Sequence, residues 1–369
     1  MFLVLLFFTS FLFINFFSTA LTNNVVKRQN IQTALCFIVL FGFMGFRDIP
    51  ILNDTAHYYA HQQSVISLHR RIIETDDFER FEKGYQIYEN LIAWFSDNPY
   101  CIICISAFII TFSYLYFIKR HTYDVAYVVF FHICTGFLTI YSGLRQGLAS
   151  CFFLFAILAM ERCKWWLFFT LCGLAFSFHS SAIILFFIPI LQRIEINRKN
   201  IIWTILIVLF IGMQLEHLLP MLGYSDSRYI ETNMSRTTLA FAAIINATTD
   251  ILVIWVCYYL KSSNKIAITQ TDHCLWWLSI LSTSFSFLDT QFLIMARFTM
   301  YFSICKYIML LKYMFLARRS QRQFFLIFLG VLFVSRVFII LEYKPEWWHI
   351  YPYQFFDFDA PYHNTNTGY

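Results

Sequence analysis

Arginines at positions 47, 145 and 297, a histidine at 179 and carboxylates at Asp54 and Glu82 stand out in a chain otherwise poor in charge. Charge at the edge of a bilayer or inside it is costly, so groups of this kind need a reason to be there. Arginines gathered on one face make an anion site, because the planar guanidinium meets pyrophosphate oxygens through paired, charge-assisted hydrogen bonds. Such a site could stabilise a departing pyrophosphate. Sugar transfer from a lipid pyrophosphate needs that stabilisation, together with a base that takes the proton from the attacking hydroxyl. His179, Asp54 and Glu82 are the candidate bases. The competing reading of each group is structural: an arginine at a span end snorkels to lipid phosphate, and an imidazole between apolar segments hydrogen-bonds a neighbouring helix.

Other constellations are weaker. His57 and His61 are spaced i, i+4, but the residues between them lack the glutamate of a zinc protease and no third ligand is evident, so no metal is expected. Ten cysteines sit singly in or beside apolar stretches, which argues against a disulfide framework, and the Cys101/Cys104 pair has neither a second pair nor a nearby histidine. A glycine-rich phosphate loop is absent. Asp250 and Glu216 lie in or near apolar segments, as helix contacts or as part of a transport path, and Arg336, deep in the last segment, is expected to pair with a partner that the sequence does not name.

The elements that must position these groups follow from composition. Apolar residues make up 59% of the 369 and charged residues 13%, where a soluble domain carries about a quarter charged. A water-soluble fold is excluded. Long uniform apolar stretches, without the alternation of an outer-membrane barrel, predict an all-α polytopic bundle of about 12 spans. They fall at about 1–20, 31–46, 98–118, 124–142, 145–160, 164–178, 180–191, 200–222, 239–260, 274–292, 298–316 and 323–341. The first has no basic leader segment and reads as a span, not a signal peptide. The whole reads as a single transmembrane domain over 1–369.

Basic residues give the orientation. Lys27/Arg28, Lys119/Arg120, Arg162/Lys164, Arg193/Arg198/Lys199, Lys261/Lys265 and Arg318/Arg319/Arg322 occupy alternate loops, the pattern of a cytoplasmic face. That register requires 164–191 to be a hairpin, and it accounts for the net charge of +5 without a nucleic-acid partner. The opposite face receives a partly helical external segment at 47–97, where Tyr85, Tyr88, Ile92 and Phe95 recur at helical spacing, and a second loop at 223–238. It also receives short turns at 143–146 and 289–297, and an aromatic tail in which Trp347, Trp348, Tyr351 and Tyr353 read as interface anchors.

Taken in order, Gly45-Phe46-Arg47 followed by Asp54 and Tyr58, then Glu82-x-Gly84-Tyr85, then Arg145-Gln146, then His179-Ser180, then Arg297-Phe298 with Tyr301, the chain resembles the EpsG family of Wzy-like polysaccharide polymerases over most of its length. The resemblance implies a GT-C-like membrane glycosyltransferase of bacterial O-antigen, capsule or exopolysaccharide pathways, in the inner (cytoplasmic) membrane. It would move a glycan from undecaprenyl pyrophosphate to a lipid-linked repeat unit on the external side, with no nucleotide sugar and no metal or other cofactor. The same resemblance puts Arg47, Arg145 and Arg297 on the pyrophosphate, Tyr58, Tyr85 and Gln146 on the substrate, and His179, Asp54 and Glu82 in catalysis. Its implied partners are lipid-linked oligosaccharides, membrane lipid, and the chain-length regulator and flippase of the pathway.

Two other functions compete. An O-antigen ligase resembles a polymerase but carries its large outer loop late in the chain, whereas here it is early. A flippase or transporter would place ionisable residues near the bilayer midplane and often shows duplicated halves, and no duplication is visible. A membrane acyltransferase with His179 as base is a weaker reading.

Overall fold

Segments that are apolar on every side are stable only among other helices or in lipid, and here they fold as helices in series. The computed structural model describes residues 2–70, 81–214, 241–292, 295–343 and 348–358. The expected 223–238 loop, Glu216 and Trp347 lie outside the described residues. In order come α1 (Phe2–Leu21), α2 (Val25–Gly45), α3 (Thr55–Arg70), α4 (Lys83–Phe95), α5 (Cys101–His121), α6 (Val125–Ile133), α7 (Phe137–Ser142), α8 (Leu144–Glu161) and α9 (Trp165–Phe178). A 3-10 helix (Ser180–Phe187) leads into α10 (Ile188–Leu191), then α11 (Arg198–Met213), α12 (Phe241–Ser263), α13 (Gln270–Leu288), α14 (Met295–Leu316) and α15 (Arg319–Tyr343). Among the described residues, five helices are long and apolar enough to cross a bilayer, namely α1, α5, α8, α12 and α15. The protein is all-α and polytopic.

Two expected spans differ in detail. The segment 124–142 is broken after α6. Gly136 enters α7 from a φ of −169°, and the Thr135 hydroxyl bonds back to the His132 carbonyl at 2.9 Å, a local bond that competes with the helix. The opened Cys134 and Thr135 carbonyls are met by the Arg336 guanidinium, at 2.8 Å for Thr135. A cation at the negative end of a helix is favourable, and irregular backbone at this depth needs such a partner. The segment 180–191 is not a regular α-helix: Pro189 has no amide to give to a helical ladder, and the chain runs as a 3-10 turn into one short α turn.

The chain divides into two compact units, Met1–Ile183 with Leu332–Tyr369, and Ile184–Val331. In the first, α2 packs on α1 and α5, α8 on α5 and α9, and α6 on α1, while α3 and α4 pack on each other and on α5. Polar groups tie the helices at one end of this unit. Buried Gln29 donates to the Lys119 and Thr122 carbonyls at 2.7 and 2.8 Å, Arg28 pairs with Asp124 at 3.6 Å, and His121 meets Glu161 at 2.8 Å. The basic loops after α1, α5 and α8 thus gather there, as the alternation of charge requires. Elsewhere Phe2, Phe16 and Trp166 are more than 70% exposed, which suits a lipid-facing surface.

The second unit packs α13 against α11, α12 and α14. Its α13 begins with a capping box between Thr269 and Asp272. Inside it Lys306 and Asp250, 2% and 4% exposed, form an ion pair, with Ser282 3.3 Å from the ammonium. Asp250 therefore has a cation partner on a neighbouring helix.

The tail folds back on the first unit. Asp48 N–H donates to the Gln354 carbonyl at 3.0 Å and Phe356 N–H to the Phe46 carbonyl at 2.9 Å. Phe356 stacks on Tyr100 with centroids 3.9 Å apart, and the buried Tyr353 donates to the Phe43 carbonyl. Tyr353 was expected as an interface anchor; it is instead a packing residue of the α2 end.

Candidate functional site

The site lies in the first unit, at the end away from the clustered basic loops, where α2, α7 and α9 finish and α8 begins. Glu82 joins its parts. One carboxylate oxygen accepts from Arg145 Nη1 at 2.6 Å, and the other accepts from the Ser180 amide at 3.0 Å, directly after His179. Two short motifs far apart in sequence are thereby held by one side chain. Burial by itself would raise the pKa of Glu82, but the Arg145 charge, the Ser180 amide and nearby His179 outweigh it, and the carboxyl sits below its usual range. It is a carboxylate at neutral pH.

Gly84 makes this closeness attainable. A Cβ there would sit 2.2 Å from Ser177 Oγ and 2.8 Å from the Ser177 carbonyl, so the start of α4 lies directly on the end of α9. Gly84→Ala must push the two apart. The expected result is a destabilisation of about 1–3 kcal/mol, seen as a lower melting temperature of the purified protein, with transfer activity falling as well because Glu82 lies two residues away. A variant as stable and as active as the parent would mean that the contact does not hold the site.

Arg145 opens α8. Its guanidinium lies 4.3 Å above the Phe81 ring, in cation–π range, and its charge acts on the neighbouring Tyr58 hydroxyl. Among the described residues its buried Nε–H has no acceptor. An unmet guanidinium donor beside an ionised carboxylate favours a further anionic oxygen. Tyr58, Phe81 and Tyr85 form an aromatic wall, with Tyr58 and Tyr85 centroids 5.9 Å apart and Phe81 and Tyr85 5.5 Å apart.

His179 is buried, and its Nδ1 accepts from the Ser181 hydroxyl at 2.7 Å and the Ser181 amide at 3.2 Å. An N–H can only donate, so the neutral ring carries its proton on Nε2. This tautomer makes His179 a donor, and a base role at Nδ1 would require the Ser181 bonds to break. Asp54 is exposed, and its amide and carboxylate lie 3.2 and 3.4 Å from Ser142 Oγ, at the end of α7.

Arg47 is fully buried. Its Nε donates to Thr55 Oγ1 at 3.2 Å, Nη1 to the Met44 carbonyl and Nη2 to the Tyr141 carbonyl at 2.9 Å. Burial draws its pKa down to about 10, so it remains a cation at neutral pH. In this arrangement it braces α2 against α7. Gln146 is buried on α8, and Arg297 is the third residue of α14 in the second unit, half-buried.

Sequence reasoning missed Phe81 and Glu89, and it weighed His61 only as a metal ligand. Phe81 and Ser180 complete the setting of Arg145 and Glu82. His61 Nδ1 meets the buried Glu89 carboxylate at 3.0 Å and its ring lies 4.4 Å from Phe81. Burial raises the Glu89 pKa, against the opposing pull of His61. The spacing of Tyr85, Glu89 and Ile92 on one face of α4 was the available signal.

Residues 30–355 match the model of a family described as the EpsG family. No curated protein and no solved structure matches the chain.

Proposed function

Because the chain belongs to the EpsG family, we propose that it is a membrane polysaccharide polymerase. It transfers a glycan from undecaprenyl pyrophosphate to a lipid-linked repeat unit, on the periplasmic or external face of the bacterial inner membrane. The family, the apolar helices and the basic loops collected at the far end of the first unit support this reading. The observation that carries it is the Glu82 carboxylate joining Arg145 to the Ser180 amide beside His179. The full bundle has about 12 spans, of the GT-C-like kind.

In the mechanism, Arg145 binds the donor diphosphate, drawing on its unmet Nε–H and exchanging part of its contact with Glu82 for phosphate oxygens. Arg297 is proposed as a further diphosphate ligand. Arg47, with its donors held by carbonyls, positions the α2 end and with it the 48–54 loop. As the glycosyl–phosphate bond breaks, charge grows on the departing diphosphate, and His179 donates to it from Nε2. Asp54 takes the proton from the acceptor hydroxyl, since it is the exposed carboxylate of the pair while both oxygens of Glu82 are engaged. Tyr58, Tyr85 and Gln146 shape the substrate side.

His179→Ala is expected to lower turnover with little change in the amount of lipid-linked donor bound, whereas Asp54→Asn lowers turnover and leaves donor binding intact even when acceptor is withheld. An unaltered rate in either variant removes that residue from the chemistry. The function itself is tested by deleting the gene and resolving surface glycan on gels. Loss of the long-chain ladder with one-repeat product retained is expected. Loss of all attachment would mean a ligase, and loss of external repeat units a flippase.

A further inference from the structure

A cavity of about 320 Å³ lies at the same end of the first unit, lined by Asp48, Pro50, Ile51, His349, Tyr351, Pro352 and Gln354. We propose that this cavity is a subsite for one neutral pyranose of the glycan, formed where the aromatic tail closes on the loop after Arg47. The assignment rests on the reading of the protein as a glycan polymerase.

The cavity is built by two chain segments held together. Asp48 N–H bonds the Gln354 carbonyl at 3.0 Å, and Leu52 N–H bonds the His349 carbonyl at 2.9 Å. Leu52 and His349 both have positive φ, 66° and 43°, a backbone region unfavourable for residues with a side chain. Two such residues bonded to each other at one cavity mark a loop shape imposed by its surroundings, and strain of this kind gathers at ligand sites.

The lining chemistry is that of sugar recognition. Tyr351 is 41% exposed and offers a ring face to the C–H side of a pyranose. Gln354 supplies donors and an acceptor for hydroxyl groups, and His349 a ring nitrogen pair. Asp48 borders the cavity with a carboxylate whose Oδ1 accepts from the Ile49 amide at 2.8 Å. A carboxylate there accepts hydroxyl protons and repels a uronic acid, so the preferred ligand is uncharged. The volume, at the low end for small-molecule sites, suits one ring and not a chain of them.

The subsite shares the loop after Arg47 with the transfer site. Asp48 follows Arg47, whose guanidinium holds the Tyr141 carbonyl, and Asp54 at the far end of the same loop meets Ser142, three residues before Arg145. A ring held at 48–52 lies on the loop whose two ends are bonded to Tyr141 and Ser142, just before Arg145, which suits recognition of a sugar in the substrate beyond the reacting one.

The test uses saturation-transfer NMR on the purified full chain in lipid nanodiscs. The probes are the methyl glycosides of glucose, galactose, mannose, N-acetylglucosamine, N-acetylgalactosamine, rhamnose and glucuronic acid. At least one neutral glycoside is expected to give a signal that is lost in Tyr351→Ala and in Gln354→Ala, kept in Tyr351→Phe, and absent for the glucuronide. Gln354→Ala alters only an exposed side chain, since the bond to Asp48 uses the Gln354 backbone, and so guards against misfolding of the tyrosine variant. Signals from none of the neutral glycosides, or signals unchanged in both alanine variants, overturn the subsite. Arg145→Lys separates the two ideas. It should keep the sugar signal while losing polymer, and if it makes polymer normally the diphosphate assignment fails while the sugar result stands or falls by itself.

Discussion

Arg145→Lys is expected to abolish polymer formation while leaving membrane insertion and helix content intact. The substitution keeps one positive charge but removes the planar fork, and with it the stacking on Phe81 and the second phosphate-directed nitrogen. Loss of a preorganised donor to a developing oxyanion costs on the order of a hundredfold or more in rate. The lysine stem is too narrow to fill the space over the ring, so the remaining ammonium has several places to sit. A ladder of normal chain lengths from the lysine variant would remove Arg145 from the site.

Glu82→Gln carries the second large effect, and it separates function from stability. The pair with Arg145 is about a quarter exposed, 24% and 22% at the two side chains, so solvent screens it and its contribution to folding stays within about 1 kcal/mol. Its positional value is larger. The neutral amide still accepts from the Ser180 N–H but no longer fixes the guanidinium, and misplacement of a reacting group by about 1 Å can cost on the order of a hundredfold. Transfer should therefore fall steeply with the melting temperature nearly unchanged. The acid side follows from the depressed pKa of Glu82: the stability the pair contributes is fully present above the ordinary glutamate value of about 4.3 and is lost as pH falls through the lower folded value. Equal activity in Glu82→Gln and the parent would show that Arg145 is positioned by something else.

Much of this site was legible because polar groups in an apolar chain have few reasons to exist. Arg145, Glu82 and His179 stood out on that ground; Arg145 bonds the Glu82 carboxylate, and the amide of Ser180, the residue after His179, bonds its other oxygen. What escaped was whatever chemistry looked ordinary. Phe81 is one of 45 phenylalanines, and nothing in its surroundings marks it as the ring beneath Arg145. Lys306 was passed over although Asp250 was noticed, because pairing across helices depends on packing that spacing within one helix does not encode. Arg336 had no visible partner, since its partners are backbone carbonyls freed by a helix break and carbonyls have no sequence signature. Arg47 illustrates the converse. Its type and place suit a diphosphate, yet three of its nitrogens are taken by Met44, Thr55 and Tyr141.

The helices were read from length and apolarity, and each expected span has a helical counterpart among the described residues or ends in an undescribed stretch. Regularity was less legible. The break at Cys134–Gly136 and the 3-10 course after His179 depend on a threonine hydroxyl, a distant guanidinium and one proline, against a hydropathy that runs smoothly through both. For Tyr353 the sequence does not decide, because an aromatic run suits a membrane interface and a packed core equally well, and its contact with Phe43 is a matter of packing.

The most direct measurement is reconstitution of the purified chain in liposomes with an undecaprenyl-diphosphate-linked repeat unit as the sole substrate. The account predicts oligomers of the repeat, with one undecaprenyl diphosphate released for each linkage formed, no requirement for a nucleotide sugar, and neither product from Arg145→Lys. Oligomers that form only when a nucleotide sugar is added, or linkage without release of the lipid diphosphate, would contradict it.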